Sequence, residues 1–137
     1  MTTIIKGKKV SGGITQGEAV VSKMPISFTG GLDPSTGIIR ETGHDLEGVN
    51  VAGKILVFLT GKGSTTGSWQ FYAAWKRGNT PKGMICVKSE GIVGVSAIIT
   101  KMPLVHELEK NPLEAIKTGD FVLINADEGF IEIKESK

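Results

Sequence analysis

The segment Gly61-Lys62-Gly63-Ser64-Thr65-Thr66-Gly67-Ser68 sets four hydroxyls and one ammonium among three glycines. It follows the apolar run Lys54-Ile55-Leu56-Val57-Phe58-Leu59 and precedes a stretch, Trp69 to Arg77, that reads as helix. Free backbone N–H groups and the positive end of a helix dipole at such a junction favour a carboxylate or a phosphate. Glycines let the backbone approach an anion closely. Lys62 adds charge, and Ser64, Thr65, Thr66 and Ser68 add hydroxyls. The order is not that of a Walker A loop, because Lys62 precedes the hydroxyl run with Gly63 between them. A dinucleotide Gly-x-Gly-x-x-Gly pattern also fails, since Thr66 stands at the third glycine position. A glycine-rich turn with a Ser or Thr helix cap is the structural alternative that the same residues satisfy.

A second candidate is Phe28-Thr29-Gly30-Gly31-Leu32-Asp33-Pro34. Paired glycines followed by Asp-Pro make a rigid turn, so a purely structural role also stands. His44 and His106 are single histidines far apart, without metal-ligand spacing, and read as surface or structural groups. Cys86 is the one cysteine. It excludes an internal disulfide and cannot hold an iron–sulfur cluster or a structural zinc. Its setting, Gly83-Met84-Ile85-Cys86-Val87, predicts a buried thiol in a strand.

The elements that must position these residues follow from the apolar pattern. Thr3–Val10 reads as a first strand and Glu18–Lys23 as a second. Pro25 to Gly37 is a long irregular segment, and loops of that length are often functional. Ile38–Arg40 is a brief strand, and the stretch through Gly48 reads as loop. Lys54–Leu59 is apolar throughout, which predicts burial on both faces of a parallel sheet. The helix Trp69 to Arg77 stops at Gly78. With a strand at Met84–Lys88 this makes a βαβ unit with a right-handed crossover. Ile92–Thr100 is taken as helix and Leu104–His106 as strand. Pro112–Lys117 is a short helix, and Phe121–Asn125 with Phe130–Ile133 forms a hairpin. The sum is a single α/β domain over residues 1–137, with β-ends and a parallel middle.

Composition sets the outer bounds. The chain has 137 residues and a formal net charge of +2, with its basic residues scattered, so nothing points to nucleic acid. Nineteen glycines fall between apolar runs, as short strands joined by tight turns require. No apolar stretch approaches the ~18 residues that span a bilayer. Without a visible signal peptide the expected location is the cytoplasm, with no membrane association.

The two glycine loops, together with Gly17-Glu18-Ala19, Pro25-Ile26-Ser27-Phe28, Val51-Ala52-Gly53-Lys54, Pro103-Leu104-Val105 and Thr118-Gly119-Asp120, resemble the small subunit of aconitase X. The resemblance covers essentially the whole chain. It implies the β/β/α swivelling fold of the mobile C-terminal aconitase domain. It also implies a hydro-lyase whose large subunit carries a [4Fe-4S] cluster and most of the catalytic site. The small subunit closes over that site and supplies a serine as proton acceptor, which falls at Ser64 here. The implied substrate-binding residues are Lys62, Gly63, Thr65, Thr66, Gly30, Gly31 and Asp33, with no metal held by this chain. Thr29 stands where the family often carries a tryptophan before the paired glycines.

The resemblance implies a phosphorylated hydroxy-acid substrate. Members with a separate small chain convert (R)-5-phosphomevalonate to trans-anhydromevalonate 5-phosphate in the archaeal mevalonate route. Other members dehydrate hydroxyprolines. A subunit of this kind is inactive alone and needs an apolar docking face, for which Phe28, Ile38, Trp69 and Met102 are candidates. A stand-alone anion-binding module and a homo-oligomeric structural protein are the alternatives from other classes.

Overall fold

The structure is a computed structural model that describes residues 2–62 and 66–134, with Thr66 as backbone. Among these residues ten strands and three helices follow in the order β1 (Thr2–Lys6), β2 (Lys8–Ser11), β3 (Ile14–Val21), β4 (Ile26–Ser27), β5 (Ile55–Phe58), β6 (Gly61–Lys62), α1 (Thr66–Lys76), β7 (Gly83–Cys86), α2 (Gly91–Thr100), β8 (Leu104–His106), α3 (Pro112–Ala115), β9 (Phe121–Asn125) and β10 (Phe130–Lys134). Eight strands form one sheet in the order β1-β10-β9-β3-β5-β7-β8-β2, and β4 with β6 forms a second, two-stranded ladder.

The middle of the large sheet is parallel, as the apolar run at Lys54–Leu59 predicts. β3, β5, β7 and β8 run parallel to one another. All four residues of β5 are buried, and so are all four of β7. Side chains alternate across a strand. Leu56, Phe58, Met84 and Cys86 therefore pack with Phe71 and Ala74 of α1 and with Val93 and Ala97 of α2. Ile55, Val57 and Ile85 face the other way, onto Ile5, Val122, Ile124, Ile131 and Ile133. The sheet thus curls over itself. Its antiparallel half covers one face of the parallel half, and the two helices cover the other.

The first strand differs from its sequence reading. Thr3–Val10 is divided at Gly7 into β1, which pairs with β10, and β2, which pairs with β8. These are the two edges of the eight-stranded sheet, so one residue joins edge to edge. The Gly7 N–H donates to Gly129 O at 2.8 Å, and a side chain there would overlap Leu108. β3 is longer than the valine-rich stretch suggests. Ile14–Glu18 pairs antiparallel with β9, and Ala19–Val21 then pairs parallel with β5. The segment from Pro25 to Gly37 is also more ordered than a loop reading implies: it contains β4 and an antiparallel bridge from Leu32 to Ile39. Ile92–Thr100 is helical, with Glu90 as N-cap, and the final hairpin forms as predicted. Among the described residues, no helix is long and apolar enough to cross a membrane.

Cys86 lies fully buried in β7. Burial, and secondarily the Glu90 carboxylate, push its thiol up from 9.0 to about 12. An alkylating reagent at pH 8 should leave Cys86 unlabelled in the folded chain and label it in denaturant, read by mass spectrometry. The sign of the pH effect follows by linkage. Between 9.0 and about 12 the unfolded thiol has lost its proton and the folded one has not, so the Cys86 contribution to stability falls as pH rises through that window.

Candidate functional site

The candidate loops lie side by side. β4 and β6 pair parallel, Ile26 against Gly61 and Ser27 against Lys62. The Ile26 N–H donates to Thr60 O at 2.9 Å. This ladder sits just past the carboxyl end of β5, where the chain turns toward α1, the place at which parallel sheets usually present ligands. Close approach explains two of the glycines. A side chain at Gly61 would overlap Val93 and the Glu90 carboxylate at the start of α2. A Cβ at Gly67, in the first turn of α1, would sit 3.1 Å from Ile92 Cγ2 and 3.2 Å from Thr29 Oγ1. The starts of both helices and the Phe28–Thr29 turn therefore meet at one point.

The first N–H groups of α2 are taken by its own cap, since Ile92 N donates to Glu90 Oε2 at 3.0 Å and Val93 N to Glu90 Oε1 at 2.6 Å. The first turn of α1 carries no acidic residue.

Glu41 links the two loops, and sequence reasoning missed it. Its Oε2 lies 2.6 Å from Lys62 Nζ. Its Oε1 is buried without a hydrogen-bond partner among the described residues and lies 3.4 Å from where a Cβ of Gly31 would be. The Arg40 N–H donates to Gly31 O at 2.8 Å, which fixes the Glu41 backbone beside the glycine pair. A lone glutamate in a stretch read as loop carries no motif, so nothing in the sequence marks it.

The predicted site residues fare differently. Lys62 is exposed at the end of β6. Gly30 adopts φ +74° with open space around it, whereas Gly31 is buried and a Cβ there would overlap Ser27 O. Asp33 is engaged in its own turn: Ser35 N donates to Oδ1 at 2.9 Å, and Arg40 Nε lies 3.5 Å from Oδ2. The Ser35 N–H chiefly, with Thr36 and Arg40, holds the Asp33 carboxyl below the usual carboxylate range. Thr66 opens α1. Gly63, Ser64 and Thr65 lie outside the described residues.

Two of the four docking candidates are corrected. Phe28 and Met102 belong to the core, Phe28 against the Phe71 ring at 4.5 Å between centroids. Ile38 is half-buried, while Trp69 is 70% exposed on α1. Both histidines are structural. His44 is buried, with Nε2 donating to Pro25 O at 3.0 Å and Nδ1 accepting from Leu46 N at 3.0 Å. His106 Nδ1 accepts from Ser89 N at 3.0 Å. A surface groove lined by Val21, Lys23, Asp45, Leu113, Ile116 and Lys117 shares no residue with the Lys62–Glu41 cluster. Among the described residues no group of three or more His, Cys, Asp or Glu side chains could hold a metal ion.

A sheet curled over on itself, two helices on its parallel half and a glycine-lined corner at their N-termini define a swivel domain. A family model described as the aconitase X swivel domain matches residues 4–133, so the chain belongs to that family. It is similar to proteins named phosphomevalonate dehydratase small subunit. The Methanocella arvoryzae protein is 50% identical over 129 residues, covering 94% of this chain and 98% of that one. The Methanosarcina acetivorans protein is 47% identical over 133 residues, covering 97% and 92%. The crystal structure of Thermococcus kodakaraensis aconitase X in its holo form superposes with a TM-score of 0.92 at 44% identity, covering 97% of this chain and 99% of that one.

Proposed function

We propose that this chain is the small subunit of a heteromeric hydro-lyase, which dehydrates (R)-5-phosphomevalonate to trans-anhydromevalonate 5-phosphate. The observation that carries the reading is 47–50% identity, across nearly the whole of both chains, to proteins named as the small subunit of that dehydratase. The loop chemistry agrees with it. The substrate carries a carboxylate and a phosphate, and the β5–α1 corner offers an exposed ammonium and a helix N-terminus without acidic residues.

In this reading the reaction removes a proton from the carbon next to the carboxylate and the hydroxyl from the next carbon. The electron pair of the broken C–H bond becomes the new double bond, the C–O bond breaks with its electrons on the departing hydroxide, and the proton taken up by the base is finally passed to that hydroxide, so that water is lost overall and the base is restored. Ser64 receives the proton. A serine hydroxyl is a poor base in water and serves only where its anionic form is stabilised. Ser64 stands two residues before the first helical residue of α1 and two after Lys62, so a helix dipole and a cation are its sequence neighbours. Gly31 lies beside the Glu41 carboxylate that pairs with Lys62.

The sequence has one cysteine, buried in β7, and an iron–sulfur cluster is held by several thiolates. A [4Fe-4S] cluster is assigned to the large subunit, where it would supply the Lewis acid for the departing hydroxyl. Neither subunit alone should then turn over. Co-expression of this chain with the large subunit from the same organism, followed by assay with (R)-5-phosphomevalonate, should give dehydration by the pair and none by this chain. Turnover of hydroxyproline in place of phosphomevalonate would move the assignment to the other branch of the family. Dehydration by the purified chain alone would overturn the subunit reading.

A further inference from the structure

We infer that Glu41 is the positioning residue of this site, holding the Lys62 ammonium where an anion is received and moderating its charge. The inference rests on the dehydratase reading above. Three observations support it. Lys62 stands on a two-residue strand at the edge of the small ladder, and its side chain is about half exposed. A four-carbon stem in that position samples many rotamers unless something fixes its end. Glu41 fixes it at 2.6 Å, from a loop anchored independently by the Arg40–Gly31 hydrogen bond and by the His44 N–H on Glu41 O at 3.2 Å.

The carboxylate is itself well buried, with 20% of its side chain exposed. An ordinary surface ion pair contributes little and needs no such support. The second oxygen gives the pair its direction. Among the described residues Glu41 Oε1 is buried with no hydrogen-bond donor, and buried polar atoms in native proteins are nearly always satisfied. The carboxylate thus uses one oxygen for Lys62 and leaves the other, beside Gly31, for a donor that arrives when the site is filled.

Charge then predicts how the variants divide. Glu41→Gln removes the negative charge and keeps the shape. Lys62 becomes less restrained, and its charge is no longer offset by a neighbouring carboxylate. Binding of an anionic substrate should be unchanged or tighter, while turnover falls because the ammonium is no longer held for the reacting geometry. In the assembled dehydratase, Glu41→Gln should lower kcat at least tenfold with KM unchanged or reduced. Glu41→Asp, which keeps the charge, should recover part of kcat. Lys62→Met should lose activity, and the Glu41→Gln/Lys62→Met double variant should be no worse than Lys62→Met alone, the mark of a residue acting through its partner.

A readout independent of activity uses the full ¹⁵N-labelled chain. The Lys62 ammonium resonance should be slow to exchange in the wild type and broadened away in Glu41→Gln, with melting temperatures matched. Wild-type kcat in Glu41→Gln, additive losses in the double variant, or an unchanged Lys62 resonance would each overturn the inference. A wild-type pair that dehydrates neither substrate would instead sink the dehydratase reading, while the resonance still tests Glu41.

Discussion

Replacing Ser64 with alanine should lower kcat of the assembled dehydratase by roughly 10²–10⁴-fold, the range in which a positioned general base contributes. The change removes one hydroxyl from a residue that precedes α1, so the buried contacts of α1 with the core stay in place. Assembly and melting temperature should therefore match the wild type. The loss should also be specific to chemistry. In the proposed reading Lys62 and the first turn of α1 bind the substrate anion without Ser64, so KM should change by much less than kcat. A Ser64→Ala enzyme that keeps more than about a tenth of wild-type kcat removes Ser64 as proton acceptor, because a base cannot be deleted that cheaply. The measurement is steady-state turnover of the purified pair, with subunit ratio and melting curve recorded on the same sample.

The sequence is informative about the parallel core because hydrophobic burial is local in register. Ile55–Phe58 and Gly83–Cys86 are buried on both faces and read as unbroken apolar runs. The closing hairpin reads clearly for the same reason, with Ala126-Asp127-Glu128-Gly129 between two alternating strands. Long-range partners are not written in this way. Thr3–Val10 carries one strand pattern, and only the approach of Leu108 and Gly129 shows why Gly7 must break it. Phe28 and Met102 stand among the docking candidates, yet the segment after β4 and the end of α2 turn inward and place them in the core. Glu41 is the clearest omission. Its significance depends on Lys62, which lies 21 positions away in the chain and 2.6 Å away in space. Spacing along the chain reports on turns and helices. It carries no trace of a pair whose partners sit on different loops.

The paired glycines show the same limit and give the second large prediction. Gly30 and Gly31 read alike in the sequence, as two permissive residues in one turn. The structure assigns them different tasks. Gly30 has φ +74° and open surroundings, so Gly30→Ala meets backbone strain alone and should cost about 1–2 kcal/mol. Gly31 has no positive φ, but its missing Cβ is the space that Ser27 O occupies. A methyl there must displace a backbone carbonyl rather than the end of a flexible side chain. Ser27 is the residue of β4 that pairs with Lys62, so the displacement travels into the ladder holding the ammonium. It also moves the wall beside Glu41 Oε1. Gly31→Ala should therefore cost about 3 kcal/mol, the upper end for overpacking a filled interior. That lowers the melting temperature by roughly 10 °C. Of the two variants, Gly31→Ala should also lose most of the activity that survives at low temperature, while Gly30→Ala keeps it. Thermal melts and turnover of both variants in the assembled pair check this. Gly31→Ala melting with the wild type would show that the Ser27 carbonyl is free to move, and that the β4–β6 ladder does not hold Lys62 in place.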